Sequence, residues 1–179
     1  MTDPGDPDVA AMLRFQAGDG SAFEELVLRH QKNVLNLVYR YLGDAVQAED
    51  VSQEAFLRVY RARSSYSPTA KFSTWLYRIT VNLCLNQIRS RRTTGALPEI
   101  ASGEAPGADL DRVELQKAVK DAVDGLPENQ RMAVLLARFE ELSYEEICKV
   151  MDLSLEAVKS LLHRAKETLK EKLGPYVKR

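Results

Sequence analysis

One stretch, Thr93 to Asp109, governs what this chain can fold into; it reads TTGALPEIASGEAPGAD. It is rich in Gly, Pro, Ala and Ser and carries no long apolar periodicity, which is the composition of a flexible linker. The 179 residues therefore fall into an N-terminal domain over 8–92, the linker over 93–109 and a C-terminal domain over 110–176. A chain of this length holds one ordinary domain or two small ones. Apolar residues make up 45% and charged residues 28%, enough for packed cores and too apolar for global disorder.

Both halves read as helical. No alternating Val/Ile/Thr run and no Asn-Gly turn signals a strand. In the first half, Ser21 can cap a helix carrying Phe23, Leu26, Val27, His30, Val34, Leu37, Val38 and Tyr41 at helical spacing, closed by Gly43. A second helix runs from about Val46 to Ala62 and a third from about Ser73 to Arg91, with a loop around Ser64 to Phe72 between them. In the second half a helix spans about Asp109 to Asp124, ended by Gly125, and Pro127 suits the first position of the next. Ser143 and Glu146 form an S-x-x-E capping box for a short helix. Met151 to Ser154 is a tight turn, and Ser154 caps a long last helix ending near Leu173, before Gly174 and Pro175.

Charge is sorted into blocks. The formal net charge of −1 rules out a histone-like basic coat, so a nucleic-acid site has to come from local segregation. Asp44 to Glu54 holds Asp44, Glu49, Asp50 and Glu54 with no Lys or Arg. Arg58 to Arg92 inverts this: Arg58, Arg61, Arg63, Lys71, Arg78, Arg89, Arg91 and Arg92 occur without an acid, interleaved with Tyr60, Tyr66, Phe72, Trp75 and Tyr77. Basic side chains meet phosphates, and aromatic faces stack on unpaired bases. On the third helix Trp75, Arg78, Asn82, Asn86 and Arg89 share one face, while Leu76, Val81, Leu83, Cys84 and Ile88 spread over the other. Two amides, two guanidiniums and an indole offer donors and acceptors for base edges and anchors for phosphates. The plainer alternative is a solvated basic face over aromatic core packing, with Trp75 in the core.

The last two helices form a helix-turn-helix candidate. Leu155, Val158, Leu162, Ala165 and Leu169 line one side of the final helix; Glu156, Ser160, His163, Arg164 and Glu167 face away, with Lys159 at the flank. Outward residues near the start of such a helix reach base edges in the major groove. A bare helical hairpin is the alternative.

Cys84 and Cys148 are far apart and form no C-x-x-C pair, so they read as small buried hydrophobes in a reducing compartment. Met1 to Gly20 is acidic and Pro-punctuated without an apolar core, unlike a secretory signal. No apolar run of about 18 residues is present, so direct membrane insertion is not expected. His30 and His163 are the only histidines; no H-E-x-x-H, P-loop or G-x-S-x-G pattern occurs. The chain is read as a non-enzyme without metal or cofactor.

Three stretches together resemble the extracytoplasmic-function (ECF) sigma factors of the sigma-70 family over nearly the whole chain. Asp44 to Arg61, DAVQAEDVSQEAFLRVYR, resembles the segment that binds the clamp helices of the polymerase largest subunit. Phe72 to Asn86, FSTWLYRITVNLCLN, is similar to the −10 recognition segment. Leu126 to Arg131 (LPENQR), Leu142 to Ile147 (LSYEEI), Val158 to Ser160 and His163 to Lys166 are similar to the fourth region, which reads the −35 element. The resemblance implies an all-α protein of two small helical domains, a sigma-2-like bundle and a sigma-4-like helix-turn-helix. It implies core RNA polymerase (clamp helices and flap) and promoter DNA as partners, an anti-sigma factor as regulator, and a cytoplasmic place with any membrane tethering supplied by that regulator.

The same resemblance assigns candidate residues. Asp44, Glu49, Asp50, Gln53 and Glu54 would meet polymerase. Lys71, Phe72, Trp75, Arg78, Asn82, Asn86 and Arg89 would meet −10 DNA, with the loop Ser65 to Ser73 holding a flipped base. Glu156, Lys159, Ser160, His163 and Arg164 would meet −35 DNA. Two positions depart from the family pattern: Leu161 stands where Arg is frequent, and Asp152 where Gly is common in the turn. Asp tolerates the left-handed conformation better than most residues, so the turn is expected to survive. The rivals are a helix-turn-helix regulator that binds palindromes without polymerase, and a structural helical interaction protein; neither explains the basic, aromatic, acid-free block.

Overall fold

The computed structural model describes residues 5–94 and 110–177. Among them are eight α-helices and no strand. They separate into two compact units: one holds α1 to α4, and the other holds α5, α6, α8 and the start of α7. The expected linker lies outside the described residues except for Thr93 and Thr94, which continue α4.

In the first unit, α1 spans Pro7–Gln16, α2 Gly20–Leu42, α3 Ala45–Arg61 and α4 Phe72–Thr94. The sequence reading missed α1. Its signals are present: Asp6 accepts from the Asp8 N–H, Pro7 sits in the first turn, and Val9, Ala11, Met12 and Phe15 are buried. The cap of α2 also differs from expectation. It is Asp19, whose Oδ1 accepts from the backbone N–H (3.1 Å) and the hydroxyl (2.6 Å) of Ser21; Ser21 is already helical and serves as donor. Gly43 closes α2 as expected, at φ 72°, with its N–H on the Tyr39 carbonyl at 2.8 Å. Only a residue free of a Cβ takes that conformation at little cost. The core is built where α1 to α4 meet: Met12, Phe15, Leu26, Leu37, Tyr41, Phe72 and Leu76 are fully buried.

Over 110–177, α5 spans Leu110–Asp124, α6 Glu128–Arg138, α7 Tyr144–Met151 and α8 Leu155–Val177. Pro127 occupies the N-cap of α6, one place before the position expected for it. The capping box closes α7: the Ser143 N–H donates to Glu146 Oε2 at 2.9 Å and the Glu146 N–H to Ser143 Oγ at 3.2 Å. Asp152 adopts φ 56°, and the Leu153 N–H reaches the Cys148 carbonyl at 3.0 Å. This is a Schellman closure with Asp at the place usually held by Gly, so the turn survives as expected. Ser154 Oγ accepts from the Ala157 N–H at 3.2 Å and starts α8. That helix runs past Gly174 and carries Pro175 inside it, longer than the sequence suggested. Pro175 has no N–H to give the Glu171 carbonyl, so that hydrogen bond is missing from the last turn. Met132, Leu135, Leu136, Ile147, Val158 and Ala165 are buried. Arg131 Nη1 lies 3.6 Å from Asp124 Oδ1 and 3.4 Å from the Asp124 carbonyl.

Two helix caps carry a pH dependence. The Ser21 hydroxyl bond holds the Asp19 carboxyl below its ordinary range, and the Gln47 backbone N–H does the same for Asp44 at the start of α3. A folded-state value below the unfolded one gives stability that is present above the unfolded pKa and lost as pH falls through the folded one. Thermal unfolding followed through Trp75 is expected to be level from neutral pH to about 4 and to drop below it. Asp44→Asn should shrink that drop.

Candidate nucleic-acid and polymerase interfaces

Alternation of burial along α4 decides which residues it presents. Phe72, Leu76, Thr80, Val81 and Cys84 are buried, and Thr80 satisfies its hydroxyl on the Leu76 carbonyl at 2.9 Å. Residues at the intervening helical positions must then point out. Lys71, Arg78, Asn82, Asn86 and Arg89 are all exposed. Trp75 is half-buried, its ring centroid 4.9 Å from Tyr66 and 5.9 Å from Phe72. Phe72 requires a correction. The resemblance puts it among the DNA-facing residues, yet its side chain is 0% exposed. It packs between His30, at 5.4 Å, and Trp75, so it supports the surface from beneath. Tyr66 lies below the same surface, and burial, with Asp6 and Asp8 adding to it, pushes its phenol up to about 12.

The basic block does not act as one patch. Arg58 Nε pairs with Glu54 at 3.0 Å, and Arg61 lies 3.7 Å from the same oxygen. Arg63 lies over the Phe15 ring at 5.2 Å. Arg91 turns inward, donating to Gln47 Oε1 at 2.8 Å and to the Leu42 carbonyl at 3.3 Å. Gln87 shares the same Gln47 oxygen at 2.9 Å. Among the described side chains, the exposed cations on α4 and just before it are Lys71, Arg78 and Arg89.

On α3, Glu49, Asp50 and Gln53 are exposed. Glu54 is half-buried in its arginine pairs, and Asp44 is a cap, accepting from the Gln47 N–H at 3.0 Å and the Gln47 amide at 2.9 Å. Glu49 and Gln53 border an apolar groove of 460 Å³ between α2 and α3, floored by Phe23, Val27, Leu35, Phe56, Leu57 and Tyr60. Leu57 is 48% and Tyr60 52% exposed, an unusual state for large apolar groups grouped together. The stretch Asp44 to Arg61 contains both, but only its acids and Gln53 are assigned to polymerase from the sequence, and Tyr60 is grouped there with the base-stacking aromatics. The signal was available, because Leu57 follows Gln53 by four residues and Tyr60 by seven, the spacing of one helical face.

On α8, Glu156, Lys159, Ser160, His163 and Arg164 are all exposed, while Val158 and Ala165 are buried. The five occupy steps of three and four residues, one continuous face. Leu161 is half-buried at the edge of that face and contributes no charge to it.

Comparison with known proteins follows the same division. The family described as Sigma-70 region 2 matches residues 26–94, and that described as Sigma-70, region 4 matches residues 116–169. The chain is 37% identical to the RNA polymerase sigma-H factor of Pseudomonas aeruginosa over 185 residues, covering 96% of each chain. It is 37% identical to the ECF RNA polymerase sigma-E factor of Escherichia coli K12 over 189 residues, covering 96% of this chain and 97% of that one. Among solved structures, CnrH in complex with the cytosolic domain of CnrY matches with a TM-score of 0.75 at 25% identity, over 95% of this chain and 99% of that one. The sigma factor RpoE of Bartonella quintana, solved with the anti-sigma factor NepR, shares the fold with a TM-score of 0.71 at 23% identity, over 85% and 96% of the two chains.

The burial pattern separates support from surface by measurement. Phe72→Ala should destabilise the first unit by about 3–5 kcal/mol, as loss of a buried phenyl ring does. Asn86→Ala should stay within about 0.5 kcal/mol, as an exposed polar change does. Denaturant unfolding followed through Trp75 reads both.

Proposed function

Because this chain belongs to the ECF sigma factors of the sigma-70 family, we propose that its two units divide promoter recognition between them. The chain is a transcription initiation factor that gives RNA polymerase its promoter specificity. In this reading, residues 8–92 bind core polymerase and the −10 element, 93–109 link, and 110–176 bind the −35 element. The observation that carries the assignment is the α4 surface, where Arg78, Asn82, Asn86 and Arg89 are exposed above a cluster of Tyr66, Phe72 and Trp75.

Each surface suits its task. Unstacking and flipping a base costs a few kcal/mol. Stacking an unpaired base on an aromatic side chain returns about 1–3 kcal/mol, and Trp75 with the segment Ser65 to Ser73 supplies that platform. Asn82 and Asn86 offer amides to base edges, while Lys71, Arg78 and Arg89 anchor phosphates. On α8, Glu156 and Lys159 in the first turns reach into the major groove, with Ser160, His163 and Arg164 following along the face. Glu49 and the Gln53 amide border the apolar groove, and with Asp50 they set two carboxylates near a greasy centre, a match for a basic coiled coil such as the polymerase clamp helices. Asp44 and Glu54 serve that surface indirectly, by capping α3 and by holding Arg58 and Arg61.

The chain needs no covalent chemistry, metal or cofactor for this; polymerase joins the nucleotides. Control by an anti-sigma factor fits the two solved relatives, each captured with such a partner or a partner's cytosolic domain. Among the described residues no helix is long and apolar enough to cross a membrane. We place the protein in the cytoplasm, with any sequestration at a membrane the work of that partner.

Two substitutions test the division. Asp50→Lys should lower affinity for core polymerase by about tenfold or more, since like-charge juxtaposition costs several kcal/mol, while the helical content measured by circular dichroism stays unchanged. Normal core affinity would remove α3 from the polymerase surface. Arg164→Ala should weaken −35 duplex binding by about 1–3 kcal/mol and relax preference at one base pair. An equal loss on every sequence would demote Arg164 to a phosphate contact.

A further inference from the structure

The helix α1 stands outside the matched region 2 segment, which begins at residue 26, yet it and its cap Asp6 hold the connection from α3 to α4 at two places, Ser64 to Tyr66 and Phe72. At its C-terminal end the Gln16 side-chain amide donates to the Ser64 carbonyl at 3.4 Å and to the Tyr66 carbonyl at 3.1 Å. At its N-terminal end one carboxylate caps two helices. Asp6 Oδ1 accepts from the Asp8 N–H of α1 at 2.9 Å, and Oδ2 accepts from the Phe72 N–H, the first residue of α4, at 3.3 Å. Between these points Asp8 ties α1 to α2 through Arg29 and through His30 Nε2 at 2.7 Å. The His30 ring in turn rests 5.4 Å from Phe72.

The lengths make α1 a splint. Ten helical residues span about 15 Å, whereas the six steps from Tyr66 to Phe72 can stretch to about 20 Å. The free segment could adopt many end-to-end distances; anchoring both ends to one rigid helix selects a single span. Tyr66 and Phe72 are the two residues whose rings contact Trp75, and they stand at the two anchored ends. We propose that α1 is a positioning element for −10 recognition, in which Asp6 and Gln16 fix the segment Tyr66 to Phe72 and thereby pre-set Trp75 and the reading face of α4. Neither residue touches DNA in this account. They act by removing conformational freedom that base capture would otherwise have to overcome. The inference rests on the −10 assignment made above.

The variants are Gln16→Ala, which deletes the donor to the two carbonyls, and Asp6→Asn, which leaves one carbonyl oxygen where two carboxylate oxygens capped two helices. Trp75 is the only tryptophan, so its acrylamide quenching in the full chain reports the cluster without DNA. Holoenzyme is then titrated with the single-stranded non-template −10 sequence that the wild type enriches from a randomised promoter pool, and separately with the matching −35 duplex. Each variant should make Trp75 more quenchable and raise the Kd for the −10 strand about three- to tenfold, the scale of one net hydrogen bond. Core affinity and −35 binding should remain within about twofold of wild type. Wild-type quenching and −10 binding in both variants would overturn the proposal. So would a parallel loss of core, −35 and −10 binding, which marks general unfolding. If the wild-type holoenzyme itself shows no preference for any −10 strand, the −10 assignment falls and this inference with it.

Discussion

The phase of α4 is set by one buried ring. Phe72 enters the core at the first turn, and Leu76, Thr80 and Cys84 follow at steps of four residues. Apolar burial is worth about 25 cal/mol per Å², so rotating the helix to expose this row would forfeit several side chains at once. With that row fixed inward, Arg78, Asn82, Asn86 and Arg89 have no choice but to face water, and Trp75 is left at the border. The surface proposed to meet −10 DNA is thus a consequence of core packing. The caps reinforce it, because Asp6 receives the first N–H of α4 and Gln47 anchors its far end through Gln87 and Arg91.

The same logic holds in the second unit. Burial of Val158 and Ala165 sets the phase of α8, and Ser154 with Asp152 sets where it starts. The exposed row from Glu156 to Arg164 follows from those two constraints. A net charge of −1 is compatible with DNA binding because the acids and bases are segregated by face. In sequence, Asp44 to Glu54 holds acids and no Lys or Arg, while α4 holds bases and no acid.

How much of this could be read from the chain depends on which physical signal was used. Helical periodicity located α2, α3, α4 and the second-unit helices, and the capping box at Ser143 and Glu146 was found from two residue types alone. Wheel position found the α4 and α8 faces. Composition did worse. Counting aromatics placed Phe72 beside Trp75, although burial separates them, and counting arginines grouped Arg91 with Arg78, although Arg91 turns inward to Gln47. Helix α1 was passed over because it is ten residues long and begins in acidic, Pro-rich sequence; its function as a splint depends on contacts some 50 and 66 positions away, which no local pattern encodes. The apolar groove between α2 and α3 was missed for a related reason. Leu57 and Tyr60 are left half-exposed, Tyr60 with its ring against Phe15 and Phe23, and only the packing shows this.

The central claim is that this chain confers promoter specificity on polymerase rather than binding DNA on its own account. Run-off transcription from a randomised promoter pool, with core RNA polymerase in the presence and absence of the chain, tests it most directly. The account predicts transcripts that appear only when both are present, with two enriched motifs, one near −10 and one near −35. Transcription no different from core polymerase alone, together with tight binding of a palindromic site by the isolated chain, would contradict it.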